Sequence, residues 1–359
     1  MNRREFIKLS GAIGMAAGFG PSLLASCTRP VKLETLASAP APKVTPTVCN
    51  ICFWKCAGFV YQHEGRPWKI VGHPQDMHSG GRLCTRGTGG IGAYLDPDRL
   101  RKPLLRVEDG GKQSFKPVSW DEALGFIADK MKAIRDRHGA DRITMFSHGD
   151  GAEHFRHLMR AFGSDSDAQP SFAQCRGPRD VGFQFTFGEG VGSPDRTDMA
   201  NSRCIVLLGS HIGENLHNGQ VQSFTQALDK GATVITVDPR FSVAAGKSRH
   251  WLPIKPGTDI ALLLAWMNVL ITERRYDEAF VRANTIGFEQ LARHVAPYTP
   301  EWAYPETGIE PQVIRTTARE MAAAAPATVV HPGRHATWYG DDTQRSRAIA
   351  ILNALLGSW

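Results

Sequence analysis

The sequence predicts an α/β fold built around a parallel sheet. Past about residue 140, short apolar runs alternate with stretches whose apolar residues have helical spacing. The runs that predict strands are ITMFSHG, CIVLLGS, TVITVD and TVVHPG. Strand, helix and strand in this rhythm give parallel strands with helices on both faces. Ligands of such sheets bind at the carboxyl ends of the strands, so those ends are where we expect chemistry.

The helical stretches differ in character. The first, SWDEALGFIADKMKAIRDRHG, opens with Ser119 and Glu122 at the spacing of a capping box and continues as an amphipathic helix. Further helices are predicted at EHFRHLMRAF, QVQSFTQALDK, IALLLAWMNVLITE and a final run from Thr343 to Leu356. The final run carries Ile349, Ile351, Leu352, Leu355 and Leu356. Because the sequence stops there, we expect this apolar face to lack its cover.

The first 26 residues resemble a twin-arginine export signal. Arg3 and Arg4 precede an apolar run that is too short and too rich in glycine to span a membrane. Residues 27–47, rich in Pro, Ala and Thr, predict a linker. LASC, ending at Cys27, resembles a lipobox, whereas LASAPA, ending at Ala41, offers an ordinary cleavage site, and both remain open. We therefore expect a periplasmic protein, with a lipidated Cys27 or partner proteins as possible means of membrane association.

Composition sets the broad class. A length of 359 residues is typical of two or three domains. The apolar content of 42% and charged content of 21% are ordinary for a globular chain. The net charge of +7 is spread along the sequence without a run of Lys and Arg, so we expect no nucleic-acid partner.

Four of the seven cysteines form a metal-binding pattern. Residues 49–56 read CNICFWKC, and a fourth cysteine, Cys84, follows after 27 more residues. Disulfides are disfavoured because seven is odd and Cys49, Cys52 and Cys56 are crowded. Three thiolates on one loop and a fourth from a distant turn favour a [4Fe-4S] cluster. Zinc also takes four thiolates, usually from two CxxC pairs, and remains the alternative.

Three stretches together resemble a known family: CNICFWKC, GRPWKIVGHP and GGRLCTRGTGGIGAYLDPDRLRKPLLR. They resemble the start of a molybdopterin oxidoreductase of the dimethyl sulfoxide reductase superfamily, and most of all the catalytic subunits of polysulfide and thiosulfate reductases. The resemblance implies a [4Fe-4S] domain over 48–105, part of an α/β domain over 106–165, a Rossmann-like domain over 166–330, and a truncated return to the α/β domain over 331–359. Only the N-terminal half of the family fold is expected, without its C-terminal barrel.

The residues after the fourth cysteine carry a further implication. The family pattern C-x-K/R-G is met by Cys84, Thr85, Arg86 and Gly87. The resemblance implies that Arg86 lies between the cluster and a pterin, where a fixed cation favours the passage of electrons.

Polar residues follow the predicted strands where a nucleotide would bind. CIVLLGS and TVITVD are each followed by glycine or acidic residues, and PIKPGTD forms a turn before a helix. Taken singly, such acidic residues are often helix caps. There is no G-x-G-x-x-G motif, which disfavours a nicotinamide enzyme. The residues after the two strands and in the PIKPGTD turn together match the family signature for binding molybdopterin guanine dinucleotide. The implied contacts are Gly209, Glu214, Asn215, Asp238, Pro239, Arg240, Gly257, Thr258 and Asp259.

The resemblance places the molybdenum or tungsten ligand on a loop before CIVLLGS. QPSFAQCRGPRD supplies Cys175, a soft donor suited to either metal, and Ser171 and Asp180 are the hard-donor alternatives. Cys204, inside an apolar strand, is predicted to be inert.

Three residues are candidates for substrate binding and proton supply. His148 follows the strand ITMFS, and Arg334 and His335 follow TVVHPG. The resemblance implies that such groups hold a small anionic sulfur compound and deliver protons. The predicted function is reduction of polysulfide, thiosulfate or a related compound, and the sequence does not separate these from tetrathionate or arsenic oxyanions.

The resemblance also implies cofactors and partners. The cofactors are a [4Fe-4S] cluster and molybdenum, or tungsten, bis-molybdopterin guanine dinucleotide. The partners are a ferredoxin-like iron–sulfur subunit and a membrane subunit that exchanges electrons with quinone. One alternative is a truncated iron–sulfur electron carrier without molybdenum. A related iron–sulfur subunit of a respiratory dehydrogenase is disfavoured by the PGTD turn and Cys175.

Overall fold

The computed structural model describes residues 41–358, apart from 53, 150, 189–196, 211, 215–217, 332 and 334–339. The strands are β1 (Lys43–Val48), β2 (Ala57–His63), β3 (Arg66–Gly72), β4 (Leu104–Asp109), β5 (Lys112–Pro117), β6 (Met145–Phe146), β7 (Asp167–Ala168), β8 (Cys204–Leu208), β9 (Thr233–Val237), β10 (His250–Leu252) and β11 (Thr328–His331). The helices are α1 (Thr85–Leu95), α2 (Trp120–His138), α3 (Ala152–Phe162), α4 (Gly177–Phe187), α5 (Asn218–Asp229), α6 (Asp259–Thr272), α7 (Glu278–Asn284), α8 (Phe288–Val295), α9 (Pro300–Thr307), α10 (Pro311–Ala324) and α11 (Asp342–Leu355).

A four-stranded sheet in the order β10-β9-β8-β11 is the centre of the larger part of the fold. Every neighbouring pair is parallel, which confirms the predicted α/β class and the strands at CIVLLGS, TVITVD and TVVHPG. All five residues of β8 are buried, as expected for a strand covered on both faces. The strand order reverses between β8 and β11. In sheets of this kind, the general rule places a ligand-binding crevice at the carboxyl ends of the strands where the order reverses.

Helices cover both faces of this sheet. On one face the largest buried side chain is Trp266 of α6, whose indole Nε1–H donates to Thr317 Oγ1 at 2.9 Å. On the other face Ile205 and Leu207 of β8 pack with Phe224 of α5. The sheet and its helices therefore form a rigid base for the loops at its carboxyl edge.

The C-terminal helix α11 is well covered, so the expectation of an uncovered apolar face there was wrong. Ile349, Leu352, Leu355 and Leu356 are each between 0% and 3% exposed. The reason is that α11 packs against α4, α6 and β11, inside the larger core. The predicted return of residues 331–359 to the domain that begins at residue 106 stays a prediction.

The uncovered apolar surface lies on α2 instead. Trp120, Leu124 and Ile127 share one side of this helix and are 67%, 56% and 51% exposed. None of the 19 residues of α2 is buried. The predicted cap is present, because Ser119 Oγ accepts from the Glu122 N–H at 3.1 Å. The helix therefore forms as the sequence predicts, but its apolar side is not covered by the part of the chain that the structure describes.

The N-terminal region contains a three-stranded antiparallel sheet, β1-β2-β3. Residues 43–47, predicted as part of a linker, instead belong to β1, which pairs along its full length with β2. The pairing arises because the cysteine loop connects the two strands as a hairpin. The predicted signal and residues 27–40 of the predicted linker, including Cys27, lie outside the described residues. Among the helices that are described, none is long and apolar enough to cross a membrane.

Candidate metal and cofactor site

The four predicted cluster ligands line a common cavity. Cys49, Cys52 and Cys56 lie on the β1–β2 loop, and Cys84 caps the N-terminus of α1. The loop is closed by the Cys49 N–H, which donates to the Cys56 carbonyl at 2.9 Å. All four cysteines are free of disulfide bonds. The fold therefore brings together thiols that are up to 35 positions apart in the sequence.

Gly87 in the wall of this cavity allows α1 to lie close to the cysteine loop. A Cβ at Gly87 would lie 3.5 Å from Cys49 Sγ and 3.2 Å from Leu83 Cβ, so a side chain there would crowd the loop. Arg86 also lines the cavity, and its Nε is buried without a hydrogen-bond partner among the described residues. The unsatisfied Nε–H of Arg86 could donate to an anionic group bound by the thiolates in this cavity.

The donor set fits a cluster. Among the described residues, no three His, Cys, Asp or Glu side chains are grouped so that they could coordinate a single metal ion. The four thiols instead surround a shared cavity, and a [4Fe-4S] cage takes one thiolate at each iron. The residues that would hold the cluster are therefore the four that the spacing predicts.

Asp76 fixes the position of the fourth cysteine relative to the other three, a role that the sequence analysis missed. Its Oδ2 accepts from the Ala57 N–H at 2.9 Å and from Ser79 Oγ at 2.7 Å, and its Oδ1 accepts from the His78 N–H at 3.0 Å. Ala57 directly follows Cys56. The carboxylate thus ties the segment that leads to Cys84 onto the strand that leaves the cysteine loop.

The same segment rests on the parallel sheet domain. The Gln222 side-chain amide of α5 donates to the Ser79 carbonyl. A Cβ at Gly219 would lie 2.8 Å from the His78 carbonyl oxygen, so only glycine permits this contact. The Trp54 ring, inside the cysteine loop, lies 5.0 Å from the His78 ring. Since α5 follows β8, the cluster loop is held beside the carboxyl edge of the sheet.

The predicted nucleotide contacts after β8 and β9 lie together. Glu214 Oε2 accepts from Arg240 Nη2 at 2.6 Å, and Glu214 Oε1 accepts from the Val243 N–H at 2.8 Å. Asp238, which is buried, accepts from the Arg240 N–H through Oδ1 at 2.8 Å. Gly209, at the end of β8, has a φ of +59° that favours glycine. Pro239 is exposed between these residues, and Asn215 lies outside the described residues.

The PGTD turn lies at the start of α6 and contacts a buried arginine. Gly257 has a φ of +84°, and Thr258 Oγ1 donates to the Lys255 carbonyl at 2.7 Å. Asp259 Oδ1 lies 3.6 Å from Arg345 Nη2. The turn therefore brings a carboxylate to the edge of the sheet, as the sequence predicts, where it is paired with a cation.

Arg345 is a site residue that the sequence analysis missed. It is 7% exposed, and its Nη2 donates to the Leu208 carbonyl at the end of β8 at 3.2 Å. Its Nε is buried without a hydrogen-bond partner among the described residues. One signal was available, because Arg345 shares the apolar side of α11 with Ile349 and Leu352 at helical spacing. Although Arg345 is paired with Asp259, its unsatisfied Nε–H is left to donate to an anionic group.

Cys175 lies just before α4, a helix that contacts the segment past the end of β11. It is partly buried. Arg179 of α4 is buried and donates through Nη1 to the Gly333 carbonyl at 3.2 Å, two residues past β11. Asp180 is bound to Arg179 at 2.9 Å and lies 3.4 Å from Arg176, so this hard-donor alternative already has two cationic partners. Among the described residues, Cys175 has no ion pair or hydrogen bond to a charged group.

Cys204, the other cysteine outside the cluster site, is more deeply buried than Cys175. Cys204 is fully buried in β8, and burial raises the pKa of its thiol to about 12, with a smaller contribution from Glu320. A thiol held in the protonated form is a poor metal ligand and a poor nucleophile.

Of the three substrate candidates, only His148 lies among the described residues. His148 is exposed and follows β6 in the separate two-stranded sheet β6-β7, rather than a strand of the four-stranded sheet. Arg334 and His335 lie outside the described residues. A role for these three residues stays a prediction.

Comparison with known proteins agrees with both parts of this site. Residues 42–93 match the molybdopterin oxidoreductase Fe4S4 domain, and residues 99–359 match the molybdopterin oxidoreductase family. The chain belongs to the molybdopterin oxidoreductase family. This confirms the predicted family, the [4Fe-4S] cluster and the molybdenum–molybdopterin cofactor.

Relatives within the family act on different compounds. The chain is 34% identical to the molybdopterin-containing subunit of thiosulfate reductase from Salmonella typhimurium, over 88% of this chain and 41% of that protein. It is 30% identical to the corresponding subunit of the arsenate respiratory reductase of a Shewanella species, over 99% of this chain and 46% of that protein. Acetylene hydratase from Pelobacter acetylenicus has a similar structure, with a TM-score of 0.68 and 27% identity, over 88% of this chain and 43% of that one. The chain thus spans less than half the length of these relatives.

Proposed function

We propose that the chain is the N-terminal part of a molybdopterin-dependent reductase of polysulfide, thiosulfate or a related sulfur compound. The observation that carries this proposal is Cys175, a partly buried soft donor that shortly precedes α4, the helix whose Arg179 contacts the chain just past β11. The similarity to a thiosulfate reductase subunit supports the sulfur substrate. An arsenic oxyanion is the second candidate, because an arsenate reductase subunit is similar over nearly the whole chain.

The residues of the chain have distinct parts in the proposed reaction. When bound, the molybdenum cofactor supplies two-electron redox chemistry at the metal. Cys175 would hold the metal, and the loops at Gly209, Asp238 and Gly257 would hold the guanine nucleotide. Arg345 and Arg179 are two buried cations at this edge, paired with Asp259 and Asp180, and they would donate further hydrogen bonds to anionic groups of cofactor or substrate.

Electrons would enter from the cluster side. Arg86 lines the cluster cavity with its Nε unsatisfied, which supports the proposed position between the cluster and a pterin. Cleavage of thiosulfate to sulfide and sulfite consumes two electrons and two protons, so two transfers through a one-electron cluster are needed for each turnover. Replacement of Arg86 by methionine should then slow this transfer without loss of iron.

The proposal extends to location and partners. We propose export by the twin-arginine route and assembly with an iron–sulfur subunit and a membrane subunit that exchanges electrons with quinone, as part of anaerobic respiration. The sequence of residues 2–8 supports the first, and the similarity to a subunit of thiosulfate reductase supports the second. Conversion of Arg3 and Arg4 to lysine should leave the protein in the cytoplasm, as followed by cell fractionation.

The experiment compares Cys175→Ala with Cys204→Ala in the native host. Extracts are assayed for sulfide release from thiosulfate and for arsenate reduction, with reduced methyl viologen as the electron source. We expect Cys175→Ala to abolish thiosulfate reduction and Cys204→Ala to keep it, because the Cys204 thiol is buried and protonated. Arsenate reduction that depends on Cys175, without thiosulfate reduction, would favour the second candidate. Unchanged turnover in Cys175→Ala would reject Cys175 as the metal ligand.

A further inference from the structure

A cavity of about 820 Å³ lies among four helices in the part of the fold that is built on the parallel sheet. Its walls come from the C-terminal end of α4, from α7, from the start of α8 and from one side of α11. The residues that line it are separate from the cluster ligands and from the predicted nucleotide contacts. Pockets that enclose small organic ligands have volumes of about 300–1,000 Å³, so this cavity is large enough to hold one.

Close packing of α4 against α11 holds one wall of the cavity in place. A Cβ at Gly182 of α4 would lie 2.6 Å from Ser346 Cβ and 2.8 Å from the Thr343 carbonyl oxygen, so glycine is needed for this approach. On the α8 side, the Phe288 ring packs 4.8 Å from the Tyr276 ring. The cavity is therefore formed before a ligand binds, which lowers the cost of ordering its walls on binding.

The lining of the cavity is mainly apolar. Phe187, Phe280 and Phe288 contribute aromatic rings from α4, α7 and α8, and Ile351 and Leu355 contribute aliphatic side chains from α11. A polar group buried against such side chains would lose its hydrogen bonds to water without replacing them. The greater part of a ligand held here must therefore be apolar.

Three polar side chains in the lining already use their donors within the fold. Thr186 Oγ1, Asn284 Nδ2 and Thr285 Oγ1 each donate to the carbonyl four positions earlier in the chain, at 2.9, 3.0 and 2.7 Å. Because these hydrogen bonds are local to each helix, the polar recognition of a ligand falls mainly to another side chain.

Arg347 is the charged residue among those that line the cavity. Its Nη1 donates to Gln344 Oε1 at 3.1 Å, and its guanidinium lies 6.0 Å from the centre of the Phe185 ring. Its Nε is buried without a hydrogen-bond partner among the described residues, and no ion pair to a described carboxylate neutralises its charge. An arginine in this state favours an anionic group, since a charge-assisted hydrogen bond to a carboxylate is stronger than one between neutral groups.

The cation and the apolar surface are aligned along one helix. Arg347, Ile351 and Leu355 follow one another at intervals of four residues, so they lie on one side of α11. From the first to the last of them, the helix rises about 12 Å. A ligand with its charge at Arg347 and an extended apolar body beside Ile351 and Leu355 would match this arrangement at both ends.

We propose that this cavity binds an amphipathic anion, whose carboxylate pairs with Arg347 and whose unbranched alkyl body lies among the three phenylalanine rings. The inference goes beyond the proposed function, because no residue that lines the cavity takes part in the reaction proposed above. Binding is noncovalent, and it transfers no electron. The cavity is thus a ligand site separate from the molybdenum and cluster chemistry.

The test measures the binding of decanoate to the 359-residue chain by calorimetry, in buffer without detergent. We expect saturable binding of one decanoate per chain. Arg347→Met keeps the apolar stem of the side chain and should weaken binding about tenfold. Decyltrimethylammonium has an alkyl body of similar length with a cationic head, and acetate has the carboxylate without the body. We expect neither to bind at the concentrations at which decanoate does.

A second variant fills the cavity and keeps its charge. Ala354 lines the cavity on α11, and Ala354→Phe should abolish decanoate binding although the Arg347 guanidinium is retained. Because the added ring enters an existing space, we expect the variant to remain folded, as measured by denaturant unfolding.

Two control variants leave the cavity unchanged. Arg282→Met removes an exposed cation of α7 that is not part of the lining, and Leu124→Glu removes an exposed apolar side chain of α2. Both should bind decanoate within about twofold of the unaltered chain, since distant surface charges act only through a screened field.

Several results would overturn the proposal. Unchanged binding in both Arg347→Met and Ala354→Phe, loss of binding in Leu124→Glu, or equal binding of decyltrimethylammonium would show that decanoate only coats exposed apolar surface. Absence of saturable binding to the unaltered chain would also reject the site. The measurement involves no redox reaction, so its result does not depend on which substrate the enzyme reduces.

Discussion

The carboxylate of Asp76 accepts a hydrogen bond at 2.9 Å from the backbone N–H of Ala57, the residue directly after Cys56. The same side chain holds Ser79 and His78, on the segment that leads to Cys84. This acidic residue therefore helps to set the separation between the cysteine loop and the fourth ligand, together with the His73 N–H, which donates to the Ala57 carbonyl at 3.0 Å. The cluster site consequently depends on contacts between two loops, and not on the cysteines alone.

Loss of this carboxylate should loosen the cluster. Asp76→Ala leaves three donors without their acceptor, and each unsatisfied buried donor costs about 1–3 kcal/mol. We expect the cluster to be lost severalfold faster on exposure to an iron chelator, as followed by its visible absorption. The matched control is Asp96→Ala, which removes an exposed carboxylate that accepts from the Asp98 N–H at 2.8 Å. Equal rates of cluster loss in the two variants would contradict the positioning role.

Arg345 should stabilise the crevice through its ion pair. Arg345→Met leaves Asp259 without its cation and the Leu208 carbonyl without its donor. Removal of one partner of a buried pair costs about 3–5 kcal/mol. The control is Arg347→Met on the same helix, where the guanidinium lies partly exposed over the Phe185 ring at 6.0 Å. Denaturant unfolding should show a much larger loss of stability for Arg345→Met, and similar losses would argue against the buried pair.

The ion pairs of Glu273 should make the free energy of unfolding depend on pH in the acid range. It accepts from Arg319 Nη2 at 2.8 Å and Nε at 2.9 Å and from Arg275 Nε at 2.9 Å, and these hydrogen bonds lower its pKa below the ordinary value of 4.5. The folded state thus favours the charged form, so the stabilisation is full above pH 4.5 and is lost as the pH falls through the lowered pKa. We expect a contribution of about 1 kcal/mol, since the pair is partly exposed.

The measurement for Glu273 is the free energy of unfolding as a function of pH. Glu273→Gln should be less stable than the unaltered chain near neutral pH, and the two curves should converge in acid. The control is Glu278→Gln, on an exposed position of α7. Parallel curves at all pH values would show that the ion pair contributes nothing to the acid dependence.

The apolar side of α2 should govern the solubility of the isolated chain. Leu124 is 56% exposed, whereas Leu352 of α11 is fully buried. We therefore expect Leu124→Glu to reduce aggregation with a change in stability of less than about 0.5 kcal/mol, and Leu352→Glu to unfold the chain. Light scattering and denaturant unfolding report the two quantities. A large loss of stability in Leu124→Glu would mean that α2 is packed after all.

The sequence predicted the elements with strong periodic patterns and missed the contacts that join distant segments. The strands β8, β9 and β11 and the cap at Ser119 follow from local rules, because apolar runs and capping spacings act over a few residues. The four cysteines were found because their spacing is itself the signal. Asp76 was not, since its partner Ala57 lies 19 positions away and no local pattern marks the pair.

The expectation for the C-terminal helix failed for a related reason. Helical spacing correctly located the apolar face of α11, but it does not say which surface covers that face. In the structure α4 covers it, more than 150 positions earlier in the chain. Arg345 was overlooked on the same helix, because a charge on an apolar face becomes informative only once the end of β8 is known to lie beside it.

The central claim is that this chain binds a [4Fe-4S] cluster at four cysteines and molybdenum at Cys175. The measurement that tests it most directly is the iron, zinc and molybdenum content of the protein purified without oxygen from its native host, alongside Cys84→Ser and Cys175→Ala. The claim predicts about four irons per chain in the unaltered protein, loss of the cluster in Cys84→Ser, and loss of molybdenum with iron retained in Cys175→Ala. Zinc in place of iron, four irons retained in Cys84→Ser, or iron and molybdenum lost together in Cys175→Ala would contradict it.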